Sequence, residues 1–110
     1  MIFAWDGANR EHIARHGVTP EEAEYVVEGA EPPYPEEIGD GKYRIWGATE
    51  SGRLLQVITV LRAQGEVSFG SVDPDDWIML HAKPDAKIVR VVHAMELTTK
   101  MKRQMRRRRR

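Results

Sequence analysis

Lys42-Tyr43-Arg44-Ile45-Trp46-Gly47-Ala48-Thr49-Glu50-Ser51-Gly52-Arg53-Leu54-Leu55-Gln56-Val57-Ile58-Thr59-Val60-Leu61 is the stretch that decides the fold. Tyr43, Ile45 and Gly47 alternate with Lys42, Arg44 and Trp46, which is the period of a strand and not of a helix. Glu50-Ser51-Gly52-Arg53 reads as a hairpin turn, since serine and glycine suit a tight reversal of the backbone. Leu54–Leu61 is apolar on both faces, as a strand in the middle of a sheet should be. An antiparallel pair is therefore the nucleus on which the rest of the chain must pack.

Upstream, Ile2–Trp5 is a short apolar strand, and Asp6 caps a helix over Gly7–His16 that Gly17 stops. Thr19-Pro20-Glu21-Glu22 starts a second helix, with threonine at the cap, proline at the first turn and Glu22 completing a capping box. Ala23, Val26, Val27 and Ala30 then mark one buried helical face. Gly29 and Pro32-Pro33 end this helix, and Pro35 keeps the next residues irregular. Downstream, residues 63–87 read as an insertion. They hold a strand near Glu66–Val72, a break at Asp73–Asp76 and a short apolar piece Trp77–Leu80. Ile88–Ala94 is a strand, and Glu96–Arg106 has helix-favouring composition. The expectation is one α+β domain over residues 1–105, followed by a basic tail 106–110. Two N-terminal helices and a C-terminal helix would pack on a small antiparallel sheet.

The 110 residues suffice for one domain, and the absence of cysteine excludes disulfides, thiolate metal sites and a cysteine nucleophile. No apolar run is long enough to span a membrane, and the N-terminus meets Asp6 too soon for a signal peptide. A cytoplasmic protein is expected. The net charge of zero conceals a division: residues 1–99 carry 9 basic against 17 acidic residues, a net −8, while residues 100–110 carry +8. Such asymmetry points to nucleic acid, to an acidic partner, or to the basic end folding back on its own domain.

Asn9, His12 and His16 fall on one face of the first helix. The i, i+4 spacing of the two histidines suits zinc, but no glutamate follows the first and no third ligand is evident in sequence, so a metal is not expected. What remains is acid–base chemistry by imidazoles that titrate near neutral pH, or a pair of histidines bordering the core and bonded to backbone. Arg90 and His93 lie three apart on one strand, so alternation sends them to opposite faces unless a bulge intervenes near Val92. Arg90 suits phosphate, or an ion pair with an acid such as Glu66 or Asp85. Trp5, just before the polar helix face, is the aromatic best placed to stack on an RNA base, with core packing as its ordinary alternative. Lys100, Lys102, Arg103 and the arginines that follow offer phosphate contacts, or a solvated terminus.

Trp5-Asp6-(x5)-His12-Ile13-Ala14-Arg15-His16-Gly17-Val18-Thr19-Pro20-Glu21-Glu22-Ala23-Glu24 resembles the opening of the BrnT family, small bacterial ribonuclease toxins of type II toxin–antitoxin systems. Ser51-Gly52-Arg53 before Leu54–Val60, the strand Ile88–Val92 and Ala94-(x2)-Leu97-Thr98 before a basic helix extend the resemblance to about residues 2–62 and 88–106. The resemblance implies a RelE-like fold and a cofactor-free, metal-independent endoribonuclease. It also implies a ribbon-helix-helix antitoxin of the BrnA kind as partner, with a homo-oligomer or toxin–antitoxin heterotetramer as assembly. It matches Trp5 and His16 to the family's opening block and assigns His16 to proton transfer and Arg53 and Arg90 to phosphate; the expected RNA contacts are Trp5, His12, Lys100, Lys102 and Arg103. Met95, Met101 and Met105 stand where the family carries an arginine, a glutamate and an aromatic residue. The alternative is a catalytically attenuated RNA-binding or antitoxin-binding module of the same fold. An acid-rich interaction domain unrelated to RNA is the third class.

Overall fold

The alternating residues and the apolar run become β3 (Lys42–Ala48) and β4 (Leu54–Arg62), antiparallel and in register from Lys42 opposite Val60 to Ala48 opposite Leu54. The computed structural model describes residues 1–63, 66, 69–82 and 87–108. Thr49 closes the turn: its N–H donates to the Arg53 carbonyl at 2.8 Å and its hydroxyl accepts from the Arg53 N–H at 3.0 Å. On the far side of β4 lies β5 (Ile88–Glu96), antiparallel to it. The outer strand β1 (Ile2–Ala4) runs parallel to β5, and β2 (Glu36–Gly39) borders β3. The order β1-β5-β4-β3-β2 makes a mixed sheet, which corrects the expected antiparallel one. The N-terminal strand pairs with the last strand of the chain, and the two run the same way. Glu36–Gly39, expected to be irregular, forms an edge strand, where a proline just before the first residue removes no ladder bond.

The described residues hold four α-helices where three were expected: α1 (Gly7–Ala14), α2 (Pro20–Glu28), α3 (Pro74–Ala82) and α4 (Thr99–Arg108). The unexpected one is α3. The apparent break at Asp73-Pro74 is a helix start, with the Asp73 carboxylate accepting from the Asp75 N–H at 2.9 Å and proline at the first helical position. Part of the segment expected to be a strand near Glu66–Val72 lies outside the described residues, and Phe69–Ser71 form a 3₁₀ turn. Val72 and the half-buried Trp77 pack with Ile2, Ala4 and Ile88, so this stretch covers one side of β1 and β5.

Both sides of the sheet are covered. Ile45 joins Ile13, Val26, Val57, Val91 and Ala94 in the main core beneath α1 and α2. Its neighbour Trp46 faces the other way, into a cluster with Leu97 and Met105 and the half-buried Met101, Tyr34 and Leu54. Gly47 permits the close approach of α2, because a Cβ there would stand 3.3 Å from Val26 Cγ1. α4 is amphipathic: Met101 and Met105, one turn apart, face Trp46, while Lys100, Arg103, Arg106 and Arg107 are exposed. It begins later than expected because β5 runs to Glu96, and the Thr98 hydroxyl accepts from the Met101 N–H at 3.2 Å. Arg106–Arg108, expected in the tail, are its last turn, while Arg109 and Arg110 lie outside the described residues. Among the described residues no helix is long and apolar enough to cross a membrane.

Candidate functional site

β1 ends at Ala4, opposite Arg90, and α1 takes its place along the outer edge of β5. Asn9 makes the attachment. Its buried amide donates to the carbonyls of Ala4 (3.0 Å) and Val91 (3.2 Å), so the edge of β5 is satisfied by a helix side chain. Asn9 also completes a capping box with Asp6: the Asn9 N–H donates to Asp6 Oδ1 at 2.9 Å, and the Asp6 N–H donates to Asn9 Oδ1 at 2.7 Å. The Asp6 carboxylate accepts from Arg90 Nη1 at 2.5 Å as well. That guanidinium, then the Asn9 N–H and last the Ala8 N–H, hold Asp6 below the ordinary carboxylate value, against the opposing effect of burial. Arg90 therefore pairs with Asp6 and not with Glu66; Asp85 lies outside the described residues.

α1 ends as its sequence requires. Gly17 takes φ of 70°, its N–H donates to the Ala14 carbonyl at 2.9 Å and the Val18 N–H to that of Ile13 at 3.1 Å, a Schellman closure. His16 sits in this last turn, with ring centroid 5.8 Å from that of His12. The third partner comes from β5. Val91 stands opposite Thr59 and His93 opposite Ile58, so Val92 is an extra residue without a counterpart. This bulge cancels the alternation that would separate Arg90 from His93. Arg90, His93 and Met95 stand opposite Val60, Ile58 and Gln56, alternate residues of β4, and so share one side of the sheet. His93 reaches α1: its Nδ1 lies 3.2 Å from His12 Nε2, a distance at which one ring donates and the other accepts, and its centroid is 5.0 Å from that of His16. One ring nitrogen from each of the three histidines falls within 4.8 Å of the others. Partial burial, then the charges of His16 and His12, hold His93 below the ordinary 6.5.

The other expected site residues are distributed around this cluster. Arg53 lies by the His16–Gly17 turn, where a Cβ on Gly17 would be 3.9 Å from its Nη2. Its guanidinium is engaged by Glu22 at 3.3 Å and approaches Glu96 at 3.9 Å. Trp5 is only 7% exposed and belongs to the core, so its ring face is closed to a base; Arg10 lies 5.9 Å over it. Lys100, Lys102 and Arg103 are on α4, which packs over Trp46 on the side of the sheet that His93 shares by register. Trp46, on which α4 packs, donates its indole N–H to Gln56 at 2.9 Å, and Gln56 stands opposite Met95. A groove of about 910 Å³ between the end of α2 and that of α4, lined by Tyr25, Tyr34, Trp46 and Arg108, contains none of the three histidines.

No family model, curated protein or solved structure matches the chain. The site thus stands on its chemistry. Three imidazoles, one exposed and two half-buried, can pass protons among themselves or point lone pairs at one centre. His93 is the member that sequence reasoning left out. Of the two grounds for setting a metal aside, the want of a third ligand does not hold once the bulge at Val92 is in place.

Proposed function

We propose that the chain is a BrnT-like ribonuclease toxin that cleaves single-stranded RNA in the bacterial cytoplasm without metal or cofactor, using the imidazoles at the edge of β5. The observation that carries this reading is the convergence of His12 and His16 of α1 with His93 of β5. One imidazole takes the proton of the 2′-OH as its oxygen attacks phosphorus. A second gives a proton to the departing 5′-oxygen, and the product is a 2′,3′-cyclic phosphate. Arg53 and Arg90 flank the cluster at the two ends of α1, where they face developing charge on phosphate. The resemblance to BrnT supplies the biological setting: neutralisation by a ribbon-helix-helix antitoxin that covers this surface.

A second reading is favoured by the ion pairs. Arg53 is held by Glu22 and Arg90 by Asp6, so phosphate must compete with carboxylates for both. An attenuated module that binds RNA or antitoxin with little turnover fits that state. RNA cleavage by the untagged full chain in EDTA separates the two. His16→Ala is expected to cost about 10²–10⁴ in rate with an unchanged melting temperature. Cleavage by the native chain no faster than by that variant refutes the first reading. Growth inhibition on expression, relieved by the neighbouring reading frame, tests the setting.

A further inference from the structure

We infer that His12, His16 and His93 form a binding site for a divalent transition-metal ion of the zinc class, with a fourth position open to water. The geometry does not depend on the RNA reading. Zinc binds imidazole nitrogen at about 2.0–2.1 Å in a tetrahedral array, which sets two nitrogens on one ion about 3.3–3.4 Å apart. His12 Nε2 and His93 Nδ1 already stand 3.2 Å apart, and one ring nitrogen from each of the three histidines lies within 4.8 Å of the others. Bringing the third nitrogen in takes a shift of at most about 1.4 Å (4.8 − 3.4), within reach of a side-chain rotation of exposed His16.

Three features make the site built, and not a chance gathering. The ligands come from two elements fixed independently: α1 by the buried Asn9 amide, and β5 by its ladder to β4 with the bulge that aims His93. A bulge beside a site re-aims a side chain at the cost of a ladder position, and here that side chain is the one that completes the set. The ligand set is all nitrogen and neutral when deprotonated, which selects zinc, cobalt, nickel or copper over magnesium or calcium, whose ligands are oxygens. His16 is exposed, so the fourth position faces solvent, the arrangement of a zinc site that keeps a water. An imidazole whose lone pair is on a metal cannot take a proton, so an occupied site and acid–base cleavage exclude each other on the same residues.

The test is titration of the untagged full chain, stripped with chelator, with zinc chloride followed by calorimetry and with cobalt chloride followed by visible absorption. One ion per chain is expected, with the d–d spectrum of nitrogen-coordinated cobalt. His16→Ala and His93→Ala are each expected to weaken binding by at least the 10–100-fold that loss of an outer-shell partner costs. His81→Ala, which alters the remaining histidine, is expected to change nothing. Circular dichroism without metal checks folding; should His93→Ala unfold, exposed His16→Ala decides. No saturable binding, or equal affinity in the native chain and His16→Ala, overturns the site. The RNA reading fails separately, on absence of cleavage in EDTA.

Discussion

Asp6 shows how much one side chain does here. It caps α1 and accepts from Arg90, so both the helix start and the contact to β5 depend on its charge. Its carboxyl is held below the ordinary 3.8, so the stability it confers is complete above that value and is lost as pH falls through the lower folded value. Asp6→Asn keeps a good cap and removes the charge. The urea midpoint of that variant is expected to fall less steeply than that of the native chain below pH 3.8, and to lie lower at pH 7. Parallel curves would assign acid sensitivity to other carboxylates. Met95 is the second residue of interest. It shares a side of β5 with Arg90 and His93, and a thioether offers phosphate no charge. Met95→Arg is expected to raise RNA cleavage by up to about 10²–10³, the worth of a preorganised donor at a developing oxyanion. A neutral or lower rate would place the phosphate elsewhere, at Arg53 or along α4.

At the scale of elements, α1 is a helix doing the work of an edge strand. Its N-terminus is tied to β1 and β5 through Asn9, and its C-terminus is closed by Gly17 with φ of 70°. A Cβ at that φ is strained even though the nearest heavy atom, Arg53 Nη2, is 3.9 Å away. Gly17→Ala is expected to cost more than about 1 kcal/mol in chemical denaturation. It should also loosen the turn that holds His16, and so weaken zinc affinity more than His81→Ala does. Stability equal to the native chain would mean that the Schellman closure contributes little. Much of this element was legible: the caps at Asp6 and Thr19, the proline at the second helix start and the glycine stop all appear as read, because caps are local chemistry. α3 was not, since a proline after an aspartate serves equally as a break or as a first helical residue.

For the whole molecule, the opposition of an acidic body and a basic end is partly resolved within the chain. Glu36 accepts from Arg108 at 2.8 Å and also pairs with Arg44, and both arginines lie over Trp46, with centroid distances of 5.3 and 5.0 Å. Arg106 and Arg107 remain exposed, with Lys100 and Arg103 on the same helix. Removing residues 106–110 is expected to weaken RNA binding and to flatten its salt dependence, by about 0.7 in slope for each phosphate no longer neutralised. An unchanged slope would leave Arg106 and Arg107 as a solvated end of the helix and Arg108 as α4's clamp on Trp46 and Glu36.

By itself the sequence determined the alternating strand β3 and its apolar partner β4, both N-terminal helices with their caps, an α+β class and a divided charge. All of these follow from spacing and capping within a few residues. The parallel pairing of β1 with β5, the burial of Trp5, the neutralisation of Arg53 and Arg90 and the arrival of His93 beside His12 and His16 were decided by tertiary structure. The reason lies in one residue of register. Alternation along Ile88–Ala94 sends Arg90 and His93 to opposite faces, and only the pairing of β5 with β4, which leaves Val92 unopposed, reverses that. A bulge is a property of two strands together, so no reading of one of them contains it.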